Sequence, residues 1–196
     1  MTTLMTAEIQ KHQEDEILLV RQAILDADAF TELYQRNVTR VFRYHMAHTG
    51  NVKDAEDLTS QTFIAALESI RSFRGSGSFG AWILGIASKK RLMFFRRSRK
   101  GSRQEIPLDA ALHYSSPGLP TDKAATQRLQ LESVSRALKQ IPPDRAEAII
   151  LSYFGGLSNL EASHIMNKSE GAVKMLISRG LQDLRERTAL ALEVEL

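Results

Sequence analysis

The sequence predicts an all-α protein of two small helical domains joined by a flexible linker. Prolines occur only between residues 107 and 143, so no proline breaks a helix in the first hundred residues. Apolar residues recur at helical spacing, as Trp82 and Ile86 do. The stretch Gly101–Asp122 mixes Gly, Ser and Pro without periodicity, which is typical of a linker between two folded parts.

Residues 1–100 are predicted to form the first domain. Gly50 is suited to end one helix in the left-handed conformation, Asn51 to cap the next, and Ser78 to cap the last. The apolar periodicity between these signals supplies the buried faces. The predicted helices are Glu16–Leu25, Ala29–His48, Val52–Ser69 and Phe79–Arg97.

Residues 123–196 are predicted to form the second domain, with helices Ala124–Gln140 and Asp144–Phe154 before a helix-turn-helix. Ser158 and Glu161 have the spacing of a capping box, which predicts a short helix ending at Met166. Asn167 tolerates the left-handed conformation of a tight turn. Ser169 can then cap a longer helix with one apolar face.

Composition excludes several classes of function. The 196 residues carry a net charge of +3 and no cysteine, so disulfides, thiolate metal sites and a cysteine nucleophile are excluded. No apolar run is long enough for a transmembrane helix, and no signal peptide is recognisable. We therefore do not expect membrane insertion, and we expect a cytoplasmic location. His45 and His48 lack a third ligand nearby, and neither a metal nor a cofactor is predicted.

The stretch Arg71–Lys100 combines cationic and aromatic side chains and contains no Asp or Glu. This combination suits a polyanion with flat faces, which is nucleic acid, and single strands in particular. Alternatively, the cations could form a solvated helix end without binding nucleic acid, and Phe73 or Phe79 could pack beneath the turn. Trp82 is assigned to the core. The candidate contact residues are Arg71, Phe73, Arg74, Ser78, Phe79, Lys89, Lys90, Arg91, Arg96 and Arg97.

Two further groups of polar residues are candidates for contacts. The start of the third helix is acidic, and negative charges there interact favourably with the helix dipole. Because capping alone does not require three carboxylates, this acidic surface indicates a protein partner. Simple capping remains the alternative. The final helix presents groups able to touch phosphates and base edges, among them Glu170, Lys174 and Ser178.

The order and spacing of these motifs resemble the extracytoplasmic-function sigma factors of bacterial RNA polymerase, over nearly the whole chain. The resemblance is carried by four groups of residues: Asp54–Thr59 with Thr62 and Phe63; Phe73–Gly75 with Gly77–Phe79 and Ala81–Ile83; Ile86 and Ala87 with Arg96 and Arg97; and, near the C-terminus, Ile141, Pro142, Gly156–Ser158, Glu161, Ser169–Gly171, Val173, Lys174 and Arg179.

The resemblance implies a role for each group. The first would dock on the clamp helices of the largest core polymerase subunit, through Asp54, Glu56, Asp57, Gln61 and Phe63. The basic-aromatic residues above would melt the minus-10 promoter element, and the second domain would meet the flap region of the second-largest subunit. The minus-35 element would be read by Ser169, Glu170, Gly171, Lys174, Ser178 and Arg179. An anti-sigma factor is an expected partner, and no catalysis is expected.

Two other functions compete with this hypothesis. A stand-alone helix-turn-helix regulator would bind duplex DNA without polymerase, but it would not need the acidic face or the aromatic turn. A nucleic-acid enzyme such as a recombinase would need a nucleophile or a carboxylate set for metal. The carboxylates at Asp54–Asp57 lie at one helix start without a basic partner site, which does not suit catalysis.

Overall fold

A computed structural model describes residues 15–99 and 121–194, and within these ranges the chain forms helices and no strand. The predicted all-α fold is therefore confirmed. Of the predicted linker, residues 101–120 lie outside the described part of the chain, and its last two residues already belong to a helix. The helices are α1 (15–23), α2 (Ala27–Thr49), α3 (Val52–Ser69), α4 (Phe79–Arg99), α5 (Thr121–Leu138), α6 (Pro143–Ile149), α7 (Asn159–Met166) and α8 (Glu170–Val194).

The predicted capping residues occupy their expected positions. Gly50 follows α2 with φ of 67°, and its amide donates to the Met46 carbonyl at 2.8 Å. The Asn51 side chain accepts a hydrogen bond from the Asp54 amide at 3.0 Å and so starts α3. Because these contacts span only three or four residues, they follow from local sequence.

Helix α6 ends differently from the prediction. The stretch Asp144–Phe154 was expected to form one regular helix, but α6 widens into a π-helical turn over Ile150–Phe154. The Gly155 amide donates to the carbonyl of Ile150, five residues earlier. Periodicity cannot distinguish a π turn from an α-helix over five residues, since the apolar pattern is nearly the same.

The N-terminal helices pack around large apolar side chains. Helix α3 packs on both α2 and α4, and α2 also contacts α4. Leu33, Tyr44, Leu58, Phe79 and Ile83 are fully or almost fully buried there. Burying a side chain of this size contributes about 1.5 to 3 kcal/mol, so these residues secure the arrangement of α2, α3 and α4.

The C-terminal helices continue the same core. Helix α8 packs on α6 and α7, with Val173 completely buried. Helix α5 packs on α2, and α7 packs on α4. Gly155 packs directly against Leu84 of α4, because a Cβ added at Gly155 would lie only 2.7 Å from Leu84 Cδ1. The two sets of helices, α1–α4 and α5–α8, therefore approach closely at this point. The two predicted domains are thus apposed, an arrangement that the sequence did not indicate.

Among the helices of residues 15–99 and 121–194, none combines the length and the apolar character that a bilayer crossing requires.

Candidate nucleic-acid interface

The acidic residues at the start of α3 face solvent. Glu56 and Asp57 are exposed, and Asp54 is half-buried. Since the neutral side chain of Asn51 already caps the helix, the carboxylates are not needed for that purpose. They form a negative surface that is open to contact from outside.

The same face of α3 continues with apolar side chains that the sequence reasoning missed. Ile64 and Leu67 are exposed, and Ile64 lies seven residues, or about two turns, after Asp57. Gln61 is half-buried between them. Phe63, predicted as a docking residue, is instead buried with its ring centroid 4.6 Å from that of Tyr34. Its side chain belongs to the core, and Ile64 and Leu67 supply the exposed apolar contact area.

The turn before α4 contains an aromatic cluster. Phe79 is completely buried, while Phe73 and Trp82 are half-buried. The Phe73 ring centroid lies 5.9 Å from that of Phe79 and 5.7 Å from that of Trp82, both in edge-to-face geometry. Phe79 is therefore core and unavailable for stacking on a base, which corrects the prediction for this residue. Phe73 remains accessible at the surface, beside the exposed Arg71 and Arg74.

Helix α4 carries an exposed face on which apolar side chains lie between cations. Lys89, Leu92, Met93 and Arg96 are all exposed and follow helical spacing of three, four and seven residues. Arg97 is exposed as well, and Lys90 is half-buried. The basic pattern of the sequence predicted the cations as contacts, but it did not point to Leu92 and Met93. Together the four side chains offer charge for phosphates and exposed apolar area beside it.

Arg91 points away from that face and into the contact between the two sets of helices. Its side chain is only 17% exposed, and its Nη2 lies 2.8 Å from Glu147 Oε2. Its Nε donates to the Tyr44 hydroxyl at 3.1 Å, and that hydroxyl donates to Glu147 Oε1 at 2.8 Å. His48 Nε2 lies 3.2 Å from Glu147 Oε2. Arg91, predicted to contact DNA, is thus engaged by a carboxylate of α6.

The cluster around Glu147 is charged. Burial alone would raise the pKa of Glu147, but the adjacent His48 ring, the positive charge of Arg91 and the hydrogen bond from the Tyr44 hydroxyl outweigh it and hold that pKa below its usual value. Burial also raises the pKa of Tyr44, with the Glu147 charge acting in the same direction. Tyr44 therefore stays neutral and donates to an ionised carboxylate.

Ser78 makes a second contact between the two sets of helices. Its hydroxyl donates to Glu161 Oε1 at 2.5 Å. Ser78 Oγ also accepts a hydrogen bond from the Ala81 amide at 3.1 Å, and so caps α4 as predicted. Burial would raise the pKa of Glu161, but hydrogen bonds from Ser78 and Ser158, together with nearby Arg40, lower it. A second predicted minus-10 residue is therefore also held by a carboxylate of the C-terminal helices.

Arg40 is a cation at this contact that the sequence reasoning missed. A Cβ at Gly80 would collide with its guanidinium, so the side chain lies directly over the first turn of α4. Arg40 belongs to α2 and carries no local motif, so only the tertiary structure reveals its position.

Helices α7 and α8 form the predicted helix-turn-helix. The Ser158–Glu161 capping box is present in both directions, and Asn167 adopts the left-handed conformation with φ of 52°. Ser169 caps α8 by accepting the Ala172 amide at 3.2 Å. The predicted contact residues on α8 and its cap are all exposed, namely Ser169, Glu170, Gly171, Lys174, Ser178 and Arg179.

The chain matches two protein families, sigma-70 region 2 over residues 33–101 and sigma-70 region 4 over residues 131–184. It is similar to the ECF RNA polymerase sigma factor BldN of Streptomyces coelicolor, with 33% identity over 168 residues. This match covers 85% of the chain and 63% of BldN, so the chain spans less than two thirds of the length of that relative.

The RNA polymerase sigma factor CarQ of Myxococcus xanthus is 31% identical over 159 residues, covering 81% of this chain and 88% of CarQ. Among solved structures, the fold is similar to that of the sigma factor RpoE from Bartonella quintana, in complex with the anti-sigma factor NepR. That similarity has a TM-score of 0.60 and 23% identity, and covers 80% of this chain and 94% of that one. The chain therefore belongs to the extracytoplasmic-function (ECF) family of RNA polymerase sigma factors.

Proposed function

We propose that this protein binds core RNA polymerase and directs promoter recognition, promoter melting and the initiation of transcription, without catalysis of its own. The observation that carries the proposal is the presence of three distinct exposed surfaces on one chain. These are the acidic-apolar face of α3, the basic-aromatic turn with the outer face of α4, and the polar face of α8. A protein that only binds duplex DNA would need the last of these alone.

The face of α3 is the proposed docking surface for the clamp helices of the largest polymerase subunit. Its exposed carboxylates, Glu56 and Asp57, supply orientation and specificity, and the exposed Ile64 and Leu67 supply apolar area. The C-terminal helices would contact the flap region of the second-largest subunit.

The turn and the outer face of α4 are proposed to open the minus-10 element. Stacking one base on an aromatic side chain contributes about 1 to 3 kcal/mol, and extruding a base costs a few kcal/mol. Phe73 is accessible for such stacking, and Lys89 and Arg96 lie exposed on α4 for the phosphates. The free energy of stacking together with that of the phosphate contacts can therefore offset the cost of extruding a base.

The exposed face of α8 is proposed to read the minus-35 element in the major groove. Lys174 and Ser178 lie one turn apart on this face, as residues that contact successive base pairs do. An anti-sigma factor is a further proposed partner, since the similar RpoE chain was solved in complex with one. The proposed location is the bacterial cytoplasm, where the polymerase acts.

The proposal is tested by run-off transcription with purified core polymerase on a library of genomic fragments. Discrete transcripts that depend on this protein are expected, and their start sites would define the promoter. A stand-alone regulator would instead shift duplex DNA without polymerase and would give no dependent transcripts. That result, together with failure of the chain to bind core polymerase, would overturn the proposal.

A further inference from the structure

Helix α1 lies against the turn that precedes α4, which comprises residues 73–78. Glu16 of α1 accepts a hydrogen bond through Oε2 from the Phe79 amide at 2.9 Å. Phe79 is the first residue of α4, so its amide has no acceptor within the helix itself. Glu16 therefore caps α4 from 63 residues away in the sequence, beside the local cap that Ser78 provides for the Ala81 amide.

The neighbouring Ile17 contacts the middle of the same turn. Gly75 adopts the left-handed conformation with φ of 72°, and a Cβ added there would lie 3.2 Å from Ile17 Cδ1. Ile17 thus packs directly on the backbone of Gly75, where the conformation itself favours glycine. Two consecutive residues of α1 therefore hold the middle and the end of the turn.

Helix α1 can support the turn because its other side chains are anchored in the core. Leu19 and Val20 are both buried. Within residues 15–99 and 121–194, no hydrogen bond between backbone groups involves residues 74–77. Because these four residues have no backbone pairing of their own, the contacts from α1 are a principal constraint on their path.

The position of this turn determines how Phe73 is presented. The Phe73 ring packs edge-to-face on Phe79 and Trp82, and Phe79 is the residue whose amide Glu16 binds. Phe73 itself is only half-buried, so part of its ring is open to contact from outside. Glu16 is thus linked to the accessible aromatic ring through a single intervening residue.

We propose that Glu16 and Ile17 are positioning residues for promoter melting, which hold the turn in the conformation that presents Phe73 to an unstacked base. This inference rests on the proposed function, because it takes Phe73 as the base contact. It assigns α1 a part in opening the minus-10 element and none in reading the minus-35 element. Such preorganisation speeds opening, because the turn does not have to be ordered while a base is extruded.

The test uses the full chain with core polymerase on a promoter recovered by run-off transcription. 2-Aminopurine in the non-template strand of the minus-10 element reports opening, and a fluorescein-labelled duplex with only the minus-35 element reports upstream binding. Glu16→Ala is expected to slow opening about tenfold, because it removes a charge-assisted hydrogen bond, and to leave upstream binding unchanged.

Two further variants define the role of the hydrogen bond. Glu16→Gln keeps an acceptor oxygen and is expected to restore most of the opening rate. Asp15→Ala removes an equal charge from an exposed position on α1 and is the matched control, expected to open the promoter at the unmutated rate. An unmutated opening rate in a Glu16→Ala protein with a native circular dichroism spectrum would overturn the proposal.

A double-mutant cycle with Phe73→Ala separates positioning from a purely structural role. If Glu16 acts through Phe73, Glu16→Ala should slow opening little further once Phe73 has been truncated. Equal slowing in both backgrounds would contradict the proposal. If Glu16→Ala does not fold, Ile17→Ala replaces it, with slowing of about threefold expected because packing on Gly75 is lost. Opening by this variant at the unmutated rate would likewise count against the proposal.

Trp82 provides a measurement that contains no polymerase. It is the only tryptophan of the chain, and its ring centroid lies 5.3 Å from that of Phe79. Acrylamide should quench Trp82 fluorescence more strongly in Glu16→Ala than in the unmutated chain or Asp15→Ala. Unchanged quenching would show that Glu16 does not support the turn. Failure of the proposed function would appear separately, as an absence of dependent transcripts from the unmutated chain while quenching still rises in Glu16→Ala.

Discussion

The Ser78 hydroxyl lies 2.5 Å from Glu161 Oε1, although 83 residues separate the two in the chain. Each residue also caps its own helix: Ser78 accepts the Ala81 amide at the start of α4, and Glu161 completes the capping box of α7 with Ser158. The beginnings of two helices from different halves of the chain are therefore joined through their caps. The element proposed to open the promoter is thereby coupled to the element proposed to read the upstream duplex.

Charge reversal at Asp57 tests the docking face. Asp57→Lys is expected to weaken binding to core polymerase by on the order of 1 kcal/mol or more, because an exposed charge on a partner surface changes from attractive to repulsive. Binding is measured by biolayer interferometry, with circular dichroism to verify the fold. Asp28→Lys, an equal reversal at an exposed site on α2, is the control. Equal affinity of the Asp57 variant and the unmutated chain would count against this surface.

Removal of the Lys174 charge tests the division of labour between α8 and α4. In complex with core polymerase, Lys174→Ala is expected to reduce binding to a duplex upstream element and to lower the salt slope of that binding by about one. Loading on a pre-melted template should be nearly unchanged. Arg36→Ala, on the exposed surface of α2, is the charge-matched control. Equal losses on both templates would contradict separate roles for the two helices.

Phe79 and Phe73 are expected to respond differently to truncation. Phe79→Ala should lower the free energy of unfolding by about 3 to 5 kcal/mol, because it leaves a cavity in a fully buried site. Phe73→Ala should cost less stability and should instead impair promoter opening. Urea denaturation gives the first quantity and permanganate footprinting of the opened strand gives the second. A Phe79 variant that is as stable as the Phe73 variant would refute the core assignment.

His45 makes the stability of the protein depend on pH. Burial, together with the nearby charges of His48 and Arg91, lowers the pKa of His45 to about 3. The unfolded chain takes up a proton at this residue below about pH 6.5, while the folded chain does not until about pH 3. The free energy of unfolding should therefore fall as pH drops through this window, by up to about 1.4 kcal/mol per pH unit from this residue.

The measurement is urea denaturation between about pH 6.5 and 5, where carboxyl groups with lowered pKa values, such as Glu147, remain ionised. Burial lowers the pKa of His48 as well, so this residue adds to the slope in the same direction. His45→Gln is expected to give a shallower dependence than the unmutated chain. An identical slope for the two proteins would show that His45 does not contribute to the pH dependence.

Local sequence predicted the helices and their ends well, because the forces that set them act over a few residues. Asn51 with the Asp54 amide, Ser158 with Glu161, and Gly50 and Asn167 in left-handed conformations all involve neighbours in the chain. The spacing that exposes Lys174 and Ser178 on one face of α8 has the same origin, since it repeats with the helical turn.

Only the tertiary structure decided which candidate residues are accessible. Phe63 and Phe79 have the same chemistry as Phe73, but the packing of α2, α3 and α4 buries the first two and leaves the third at the surface. Arg91 lies in the same basic tract as Lys89, and a glutamate 56 residues further along binds it. Such contacts join distant parts of the chain, and no local pattern of charge or hydrophobicity specifies them. The sequence by itself thus determined the family, the helices and their caps, because these depend on neighbours in the chain. The accessibility of the candidate residues and the apposition of the two halves depend instead on long-range packing around Glu147 and Glu161.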